Sequence, residues 1–82
     1  MAATQSDIRR WLNAGRVMGA THMIVVCNLI TTKDRPVYVR PGEGARAIFS
    51  RHDGQNMQKV MEVYCLSLDI ESQLAEHRAF HF

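Results

Sequence analysis

Residues 21–40 read THMIVVCNLITTKDRPVYVR, and this stretch decides the fold. Residues 21–30 are mostly apolar on both alternating faces, which is typical of a strand that is paired centrally or covered on both sides. Residues 31–34 are polar and suit a turn, and residues 37–39 form a second, shorter strand. Pro36 at the start of that strand is typical of a sheet edge. The stretch therefore predicts an antiparallel hairpin.

An amphipathic helix is predicted before the hairpin. Ser6 suits the N-cap position, and Asp7 places a carboxylate in the first turn, where the helix dipole favours it. Apolar residues then recur at helical spacing from Ile8 to Met18, with arginines on the opposite side. Gly19 suits the position that ends a helix in the left-handed conformation.

The residues after the hairpin predict one short helix and one ambiguous segment. Apolar spacing over residues 45–52 predicts a helix that Asp53 and Gly54 terminate. Residues 57–68 fit either a helix or a strand with two apolar faces. The strand interpretation is preferred because a lone two-stranded hairpin is only marginally stable. Its cost is Glu62, which then lies on a largely apolar face.

A final helix is predicted from Asp69, a suitable N-cap, through Phe80. The element order is then α-β-β-α-β-α. The predicted fold class is α+β, with residues 1–82 forming a single domain whose three-stranded antiparallel sheet is packed by helices. Because a chain of 82 residues supplies only a small core, homo-oligomerisation or docking on a partner is expected.

Composition and cysteine usage indicate the cellular environment in which the chain is expected to fold. No apolar run approaches the roughly 18 residues that a membrane span needs, and residues 1–5 lack the pattern of a secretory signal. Cys27 and Cys65 stand among apolar residues, which predicts free buried thiols in a reducing compartment, although a bridge between them is an alternative. The chain is expected to be cytoplasmic and to have no membrane partner.

The charges are unevenly distributed along the chain. Residues 1–51 hold eight cations against three acids, whereas residues 52–82 hold two cations against five acids, so that the two parts carry +5 and −3 within a net charge of +2. Most of the cations are arginines, which suit forked recognition of carboxylate or phosphate. This distribution indicates either a macromolecular partner or two halves that face each other in the fold.

The side chains capable of chemistry are scattered. His77 and His81 have the spacing of metal-binding helices, but a structural zinc site needs two further ligands, and neither cysteine belongs to a C-x-x-C pair. Residues 42–44 (Gly-Glu-Gly) are interpreted as a turn rather than an anion cradle. The sequence therefore predicts no catalytic residue, no metal ligand and no cofactor. An enzyme pocket that gathers His22 or His52 with a carboxylate is the least favoured alternative.

Four strings in the chain are distinctive: GATHMIVVC (19–27), PVYV (36–39), MQKVMEVY (57–64) and AFHF (79–82). Together they resemble a family of small, functionally uncharacterised proteins of bacteria and bacteriophages, and the resemblance covers the chain from about Trp11 to its end. It implies a phage or prophage accessory protein and assigns no chemistry to any residue. The turn at residues 28–35 departs from the acidic, aromatic turn of that family, so a role for an acidic hairpin is not expected here.

The grouped cations and the terminal aromatics predict a non-enzymatic binding protein that acts through protein–protein contacts. The partner is expected to be a host or phage protein with an acidic surface, or a second copy of the chain, and under the resemblance the chain would inhibit a host defence or regulatory machine. The partner-binding residues are predicted to be Arg9, Arg10, Arg16, Arg35 and Arg40 for polar contacts, with Phe80 and Phe82 as apolar anchors. A nucleic-acid-binding regulator is the second hypothesis, because a basic helix beside a basic hairpin can track phosphates.

Overall fold

The computed structural model describes residues 3–76 and 78–82. The helices of this part of the chain are α1 (Gln5–Met18), α2 (Ala45–His52) and α3 (Ile70–Leu74), and its strands are β1 (His22–Asn28), β2 (Asp34–Val39) and β3 (Gln58–Cys65). The strands form an antiparallel sheet in the order β2-β1-β3. The predicted α+β fold with a three-stranded sheet is confirmed. No helix among the described residues is long and apolar enough to cross a membrane.

The central position of β1 follows from its sequence. Residues 23–26 are at most 1% exposed, and Ile24 lies opposite both Val37 and Val63. At the two ends of the β1–β2 ladder, the N–H of Thr21 donates to the carbonyl of Val39, and that of Asn28 donates to Lys33. The odd-numbered residues of β2 therefore turn their backbone groups toward β1. Pro36 faces outward, where its missing N–H costs no ladder bond, as the prediction of an edge strand requires.

A β-bulge in β3 distributes its apolar residues between the two faces. Val60 lies opposite Val26 and Glu62 lies opposite Val25, so Met61 is the extra residue. The strand interpretation of this segment is confirmed, but the bulge puts Val60 on the same face as Val63, which simple alternation does not allow. Glu62 tolerates its apolar face because its Oε2 accepts a hydrogen bond of 2.8 Å from the Tyr64 hydroxyl.

The helices cover opposite faces of the sheet. α1 packs Ile8 and Leu12 onto the face that holds Met23, Val25 and Tyr64. α2 packs Ile48 onto the other face, which holds Ile24, Val26, Val39, Val60 and Val63. The two apolar clusters therefore lie on either side of β1, and both depend on it.

Gly15 lets α1 lie close to the sheet. A Cβ atom at this position would come within 2.9 Å of Leu66 Cδ1 and of Tyr38 Cε1. The Tyr38 ring cannot move away freely, because its hydroxyl donates a hydrogen bond of 2.7 Å to the carbonyl of Trp11. The absence of a side chain at Gly15 thus sets the distance between the helix and the sheet.

The N-cap of α1 is Thr4, so the prediction of Ser6 at this position is wrong. The Thr4 hydroxyl accepts from the Asp7 N–H, and the Asp7 carboxylate accepts from the Thr4 N–H, both at 3.1 Å. This reciprocal capping box is favoured because it satisfies two backbone donors, whereas a cap at Ser6 would leave Asp7 too close to reach back. Gly19 ends the helix in the left-handed conformation with a φ of 77°, as predicted.

The predicted final helix through Phe80 is also wrong. α3 begins after the Asp69 cap, whose carboxylate accepts from the Ser72 N–H at 3.1 Å, but the helix ends at Leu74. The C-terminal tail, which we define as residues 78–82, is extended and runs parallel to β3. The Val63 N–H donates to the carbonyl of Ala79 at 2.8 Å, and the His81 N–H donates to the carbonyl of Val63 at 2.9 Å. The tail thus satisfies outer-edge groups of β3, which helix continuation would have left without a partner.

Side chains complete the outer edge of β3. Gln73 is only 2% exposed, and its amide oxygen accepts from the Cys65 N–H at 2.8 Å while its amide nitrogen donates to the Cys65 carbonyl at 2.9 Å. In addition, the Arg78 guanidinium donates to the carbonyl of Met61, and the Asp53 carboxylate accepts from the N–H of Val60. β3 is therefore covered by contacts at four of its residues, which protects it from pairing with another chain.

Replacement of Gln73 by leucine should lower the free energy of unfolding by about 2 kcal/mol, because it leaves both backbone groups of Cys65 without a partner in a buried position. Urea unfolding followed by Trp11 fluorescence measures the change. Gln55→Leu is the matched control, since Gln55 is exposed and its side chain makes no hydrogen bond within the described residues. Equal stability of the two variants would contradict the role assigned to Gln73.

Acid should lower the stability of the fold through two aspartates that take part in helix capping, Asp7 in the capping box of α1 and Asp69 at the N-cap of α3. The Thr4 backbone N–H holds the pKa of Asp7 below its usual 3.8, and the Ser72 hydroxyl does the same for Asp69. Because the folded-state pKa values are lowered, the stabilisation is fully present above 3.8 and is lost as the pH falls through the lowered values.

Unfolding measured over an acid pH series checks this prediction. The double variant Asp7→Asn, Asp69→Asn should show a shallower loss of stability in acid than the unmodified chain. An identical pH dependence for both proteins would show that other carboxylates carry the effect.

Candidate functional site

The residues that the sequence assigns to partner binding fall on different parts of the fold. Arg9, Arg10 and Arg16 lie on α1, Arg35 and Arg40 lie in and directly after β2, and Phe80 and Phe82 lie in the C-terminal tail. α1 covers one face of the sheet, whereas Phe82 packs against α2 on the other face. The structure therefore does not gather the predicted set on one surface.

The arginines of α1 lie next to acidic side chains of the same chain. Arg9 Nη2 is 2.7 Å from Glu71 Oε1, and Arg10 Nη2 is 3.2 Å from Asp7 Oδ1. Hydrogen bonds from Ser72 lower the pKa of Asp69, and the positive charge of Arg16 adds to the effect. On this face, the acidic C-terminal part offsets the basic N-terminal part. The internal pairing of the two halves is therefore seen at Arg9 and Arg16.

Arg35 and Arg40 also make hydrogen bonds, but neither guanidinium is paired with a carboxylate within the described residues. The Arg35 guanidinium donates to Gln58 Oε1 at 2.9 Å. The Arg40 N–H donates to Glu43 Oε1 at 2.8 Å, and the Glu43 N–H donates back to the carbonyl of Arg40 at 3.0 Å. With Gly42 at a φ of 91°, these bonds close a turn over residues 40–43, and Gly44 is the N-cap of α2.

The tail and α2 together form an open groove of about 320 Å³. We call it the tail groove, and its lining residues are His22, Gly44, Ala45, Arg46 and Phe82. The Phe82 ring meets the Phe49 ring edge-on with 5.3 Å between the centroids. The Arg46 guanidinium lies over the Phe82 ring, with Cζ 4.3 Å from the centroid. Phe82 remains 37% exposed, so the ring is available for further contact.

The groove is electropositive on the α2 side. Arg46 lies in the first turn of α2, whose N-cap Gly44 makes no side-chain hydrogen bond. The positive end of the helix dipole and the guanidinium charge therefore act in the same direction. Arg46 has no ion pair with any residue of the described ranges, in contrast to Arg9 and Arg10.

His22 lines the groove from the start of β1. Its Nδ1 is 3.0 Å from the Thr21 hydroxyl, which itself donates to the carbonyl of Val39 at 3.2 Å. Nδ1 therefore carries the proton and donates it to Thr21, and the buried Nε2 has no hydrogen-bond partner within residues 3–76 and 78–82. His52 likewise has a neutral partner, since its Nδ1 is 3.0 Å from Gln58 Oε1.

Phe80 and Arg78 repeat the arrangement of an aromatic ring below an arginine. Arg78 Cζ is 5.2 Å from the centroid of the Phe80 ring, and Phe80 is 40% exposed. Arg78 is held in place by bonds of 3.3–3.4 Å from its guanidinium to the carbonyl of Met61. The bridge between Phe80 and Val63 places Phe80 on the same side of the sheet as α2. The tail therefore presents two arginine–phenylalanine pairs.

The helical spacing of the two C-terminal histidines, from which no metal ligand is predicted, is not realised at His81. His77 lies outside the described residues, and His81 lies in the extended tail, where its Nε2 is 2.6 Å from Glu76 Oε2. Within the described ranges, no group of three or more His, Cys, Asp or Glu side chains could hold a metal ion.

The cysteines are free, as predicted, but the prediction that they are buried is wrong, since both are partly exposed. Cys27 lies opposite Lys59, whereas Cys65 lies opposite His22 at the other end of β1. The intervening length of strand, roughly 17 Å, excludes a bridge between them. Burial of the sulfur raises the pKa of the Cys27 thiol, and the neighbouring Asp34 raises it further.

The comparisons with known proteins give no relative for this chain. No family model matches it, and neither the search of curated proteins nor that of solved structures finds a significant match. The functional argument therefore depends on the geometry of the chain itself.

Sequence reasoning missed Arg46 and Arg78 as candidate site residues. A signal was present in each case, because Arg46 precedes Phe49 by one helical turn and Arg78 stands two positions before Phe80. Two positions along an extended chain point to the same side, so the second pair becomes visible only if the tail is interpreted as a strand.

The thiol of Cys27 should react slowly with iodoacetamide at neutral pH, because its raised pKa keeps the nucleophilic thiolate scarce. The Cys65→Ser variant isolates this thiol, and free cysteine is the reference. The rate should rise steeply as the pH is raised. A rate equal to that of free cysteine at neutral pH would contradict the assignment.

Proposed function

We propose that the chain is a non-enzymatic binding protein that holds an acidic partner protein at the tail groove. The observation that carries this proposal is the half-exposed Phe82 ring with the Arg46 guanidinium stacked on it beside an open groove. Aromatic and arginine side chains are the residues in which the energetically dominant positions of protein interfaces are enriched.

The charge of Arg46 favours an acidic partner. Stacking on Phe82 occupies a face of the guanidinium plane, but its N–H groups lie in that plane and can still form two parallel bonds to a carboxylate. No acidic side chain of the described residues forms an ion pair with Arg46, whereas Arg9 and Arg10 are paired within the chain. The cation at the groove is therefore not neutralised by an ion pair within the described residues, and it lies directly beside the exposed Phe82 ring.

The second arginine–phenylalanine pair extends the same surface. Arg78 and Phe80 lie on the tail, two residues before the groove is reached at Phe82. An extended acidic segment with a large apolar side chain would contact both pairs at once, since alternate residues of an extended peptide project to the same side. A partner that presents such a segment fits this surface better than a compact small molecule does.

The resemblance to phage and bacterial proteins suggests where such a partner would be found. An accessory protein that occupies an acidic surface of a host defence or regulatory machine would block that surface without any catalysis. Inhibition of this kind is the biological form we propose, and it requires only the contacts described above.

Peptide display against the purified chain tests the proposal. The selected peptides should be rich in Asp or Glu together with a large apolar residue. Phe82→Ala or Arg46→Glu should lower the affinity of the chain for a selected peptide by about tenfold or more, as expected for central interface residues. The double variant Arg9→Ala, Arg10→Ala is the control and should bind as the unmodified chain does.

Three outcomes would contradict the proposal. One is selection of peptides without acidic residues, and another is affinity that depends on Arg9 and Arg10 instead of Arg46. The third is tight binding of duplex DNA that falls steeply with salt, which would identify the nucleic-acid regulator of the second hypothesis.

A further inference from the structure

An apolar tip stands at the other end of β1 from the tail groove. It consists of Leu29 and Ile30 in the turn between β1 and β2, and of Met57 in the loop before β3; we call these three residues the hairpin tip. Their side chains are 49%, 73% and 57% exposed, respectively. Large aliphatic side chains with this exposure on a protruding turn are not explained by the packing of the core.

The backbone N–H groups of the turn residues 29–32 are all hydrogen-bonded. The Leu29 N–H donates to the carbonyl of Met57 at 2.8 Å, and the Thr32 N–H donates to that of Asn28 at 2.7 Å. The Ile30 and Thr31 N–H groups both donate to Asn28 Oδ1, at 2.8 and 3.1 Å. These four donors therefore keep their partners when water is removed from the turn. Hydrogen-bonded backbone donors lower the free-energy cost of moving the turn into an apolar phase.

Exposed cations surround the tip. Lys33 lies directly before β2 and Arg35 lies on β2, while Lys59 lies on β3, two positions after Met57. The acids nearest in sequence, Asp34 and Asp53, are both partly buried. Asp34 accepts a hydrogen bond of 2.9 Å from the Ala3 N–H, and Asp53 accepts one of 3.1 Å from the Val60 N–H. The tip thus combines a protruding aliphatic end with a positive rim.

We infer that the hairpin tip inserts into the surface of an anionic lipid bilayer. The aliphatic side chains would enter the boundary between headgroups and acyl chains, and the rim cations would contact the lipid phosphates. This inference is independent of the proposed function, because none of the three tip residues lines the tail groove.

Size and charge favour a bilayer over a protein at this site. A stable protein interface buries roughly 800 Å² on each partner, which three side chains at a convex end do not supply. A second copy of the chain would bring an identical positive rim against the first, and like charges repel. An anionic bilayer needs no shape complementarity and attracts the rim.

Vesicle co-sedimentation of the full chain tests the inference. The chain should sediment with vesicles of phosphatidylcholine and phosphatidylglycerol but not with phosphatidylcholine alone. The double variant Leu29→Ser, Ile30→Ser should lower the partition coefficient roughly tenfold or more, and Lys33→Glu with Lys59→Glu should abolish the preference for anionic vesicles. Val17→Ser is the matched control, since Val17 is 90% exposed but lies on α1.

A fluorescent probe at the hairpin tip tests insertion into the bilayer separately from the affinity of the chain for vesicles. The fluorescence of an Ile30→Trp variant should shift to shorter wavelength with anionic vesicles and should be quenched by lipids brominated on the acyl chains. Thermal unfolding of each variant confirms that the fold is retained.

Absence of sedimentation with anionic vesicles would overturn the inference, as would equal binding by the serine variant and the unmodified chain. A concentration-dependent dimer that Leu29→Ser, Ile30→Ser abolishes, seen by light scattering without vesicle binding, would assign the tip to a second copy instead.

Discussion

β1 buries its side chains on both faces of the sheet, so it requires a strand on each side and a helix over each face. β2 and β3 supply the strands, and α1 and α2 supply the helices. Because residues 3–76 and 78–82 form no further strand, the outer edge of β3 is satisfied by other means. Gln73, Arg78 and the tail carry out that function. The tail is extended for this reason, and its pairing with Val63 is what brings Phe82 to α2 and creates the tail groove.

The same arrangement decides which charges remain available. α3 carries Glu71 to the exposed side of α1, where it pairs with Arg9 at 2.7 Å. The basic helix, which the sequence makes the most conspicuous feature, is thus offset by acids of its own chain. Arg46 lies on the opposite face of the sheet, beyond the reach of those acids. Arg46, which is unremarkable in the sequence, therefore forms no ion pair within the described residues and is the cation to which we assign partner contact in our proposal.

The parts of the fold that the sequence predicts correctly are those set by local chemistry. Gly19 ends α1 because it adopts a left-handed conformation, and Pro36 marks an edge because it lacks an N–H. The errors come from long-range needs. Apolar residues continue at helical spacing from Ile70 to Phe80. The tail is nevertheless extended, because it forms hydrogen bonds to the backbone N–H and carbonyl of Val63. The bulge at Met61 similarly depends on packing on both faces of the sheet at once. The alternation of apolar residues in the sequence does not predict its position. The candidate site lies in the part decided by such needs. Its phenylalanines are therefore identified from the sequence, whereas Arg46 and Arg78 become evident only once the tail is placed as an extended segment beside α2.

Closure of the β3 edge also limits how this protein can associate. On β2, the groups that face outward include Pro36, which interrupts the row of donors that an added strand would need. Association by extension of the sheet is thus disfavoured at both edges, and the two surfaces to which we assign contacts, the tail groove and the hairpin tip, lie at the two ends of β1. Those ends are separated by roughly 20 Å along the strand. A ligand at the tail groove would therefore not cover the hairpin tip, and a rigid central strand would hold the two surfaces at a fixed spacing.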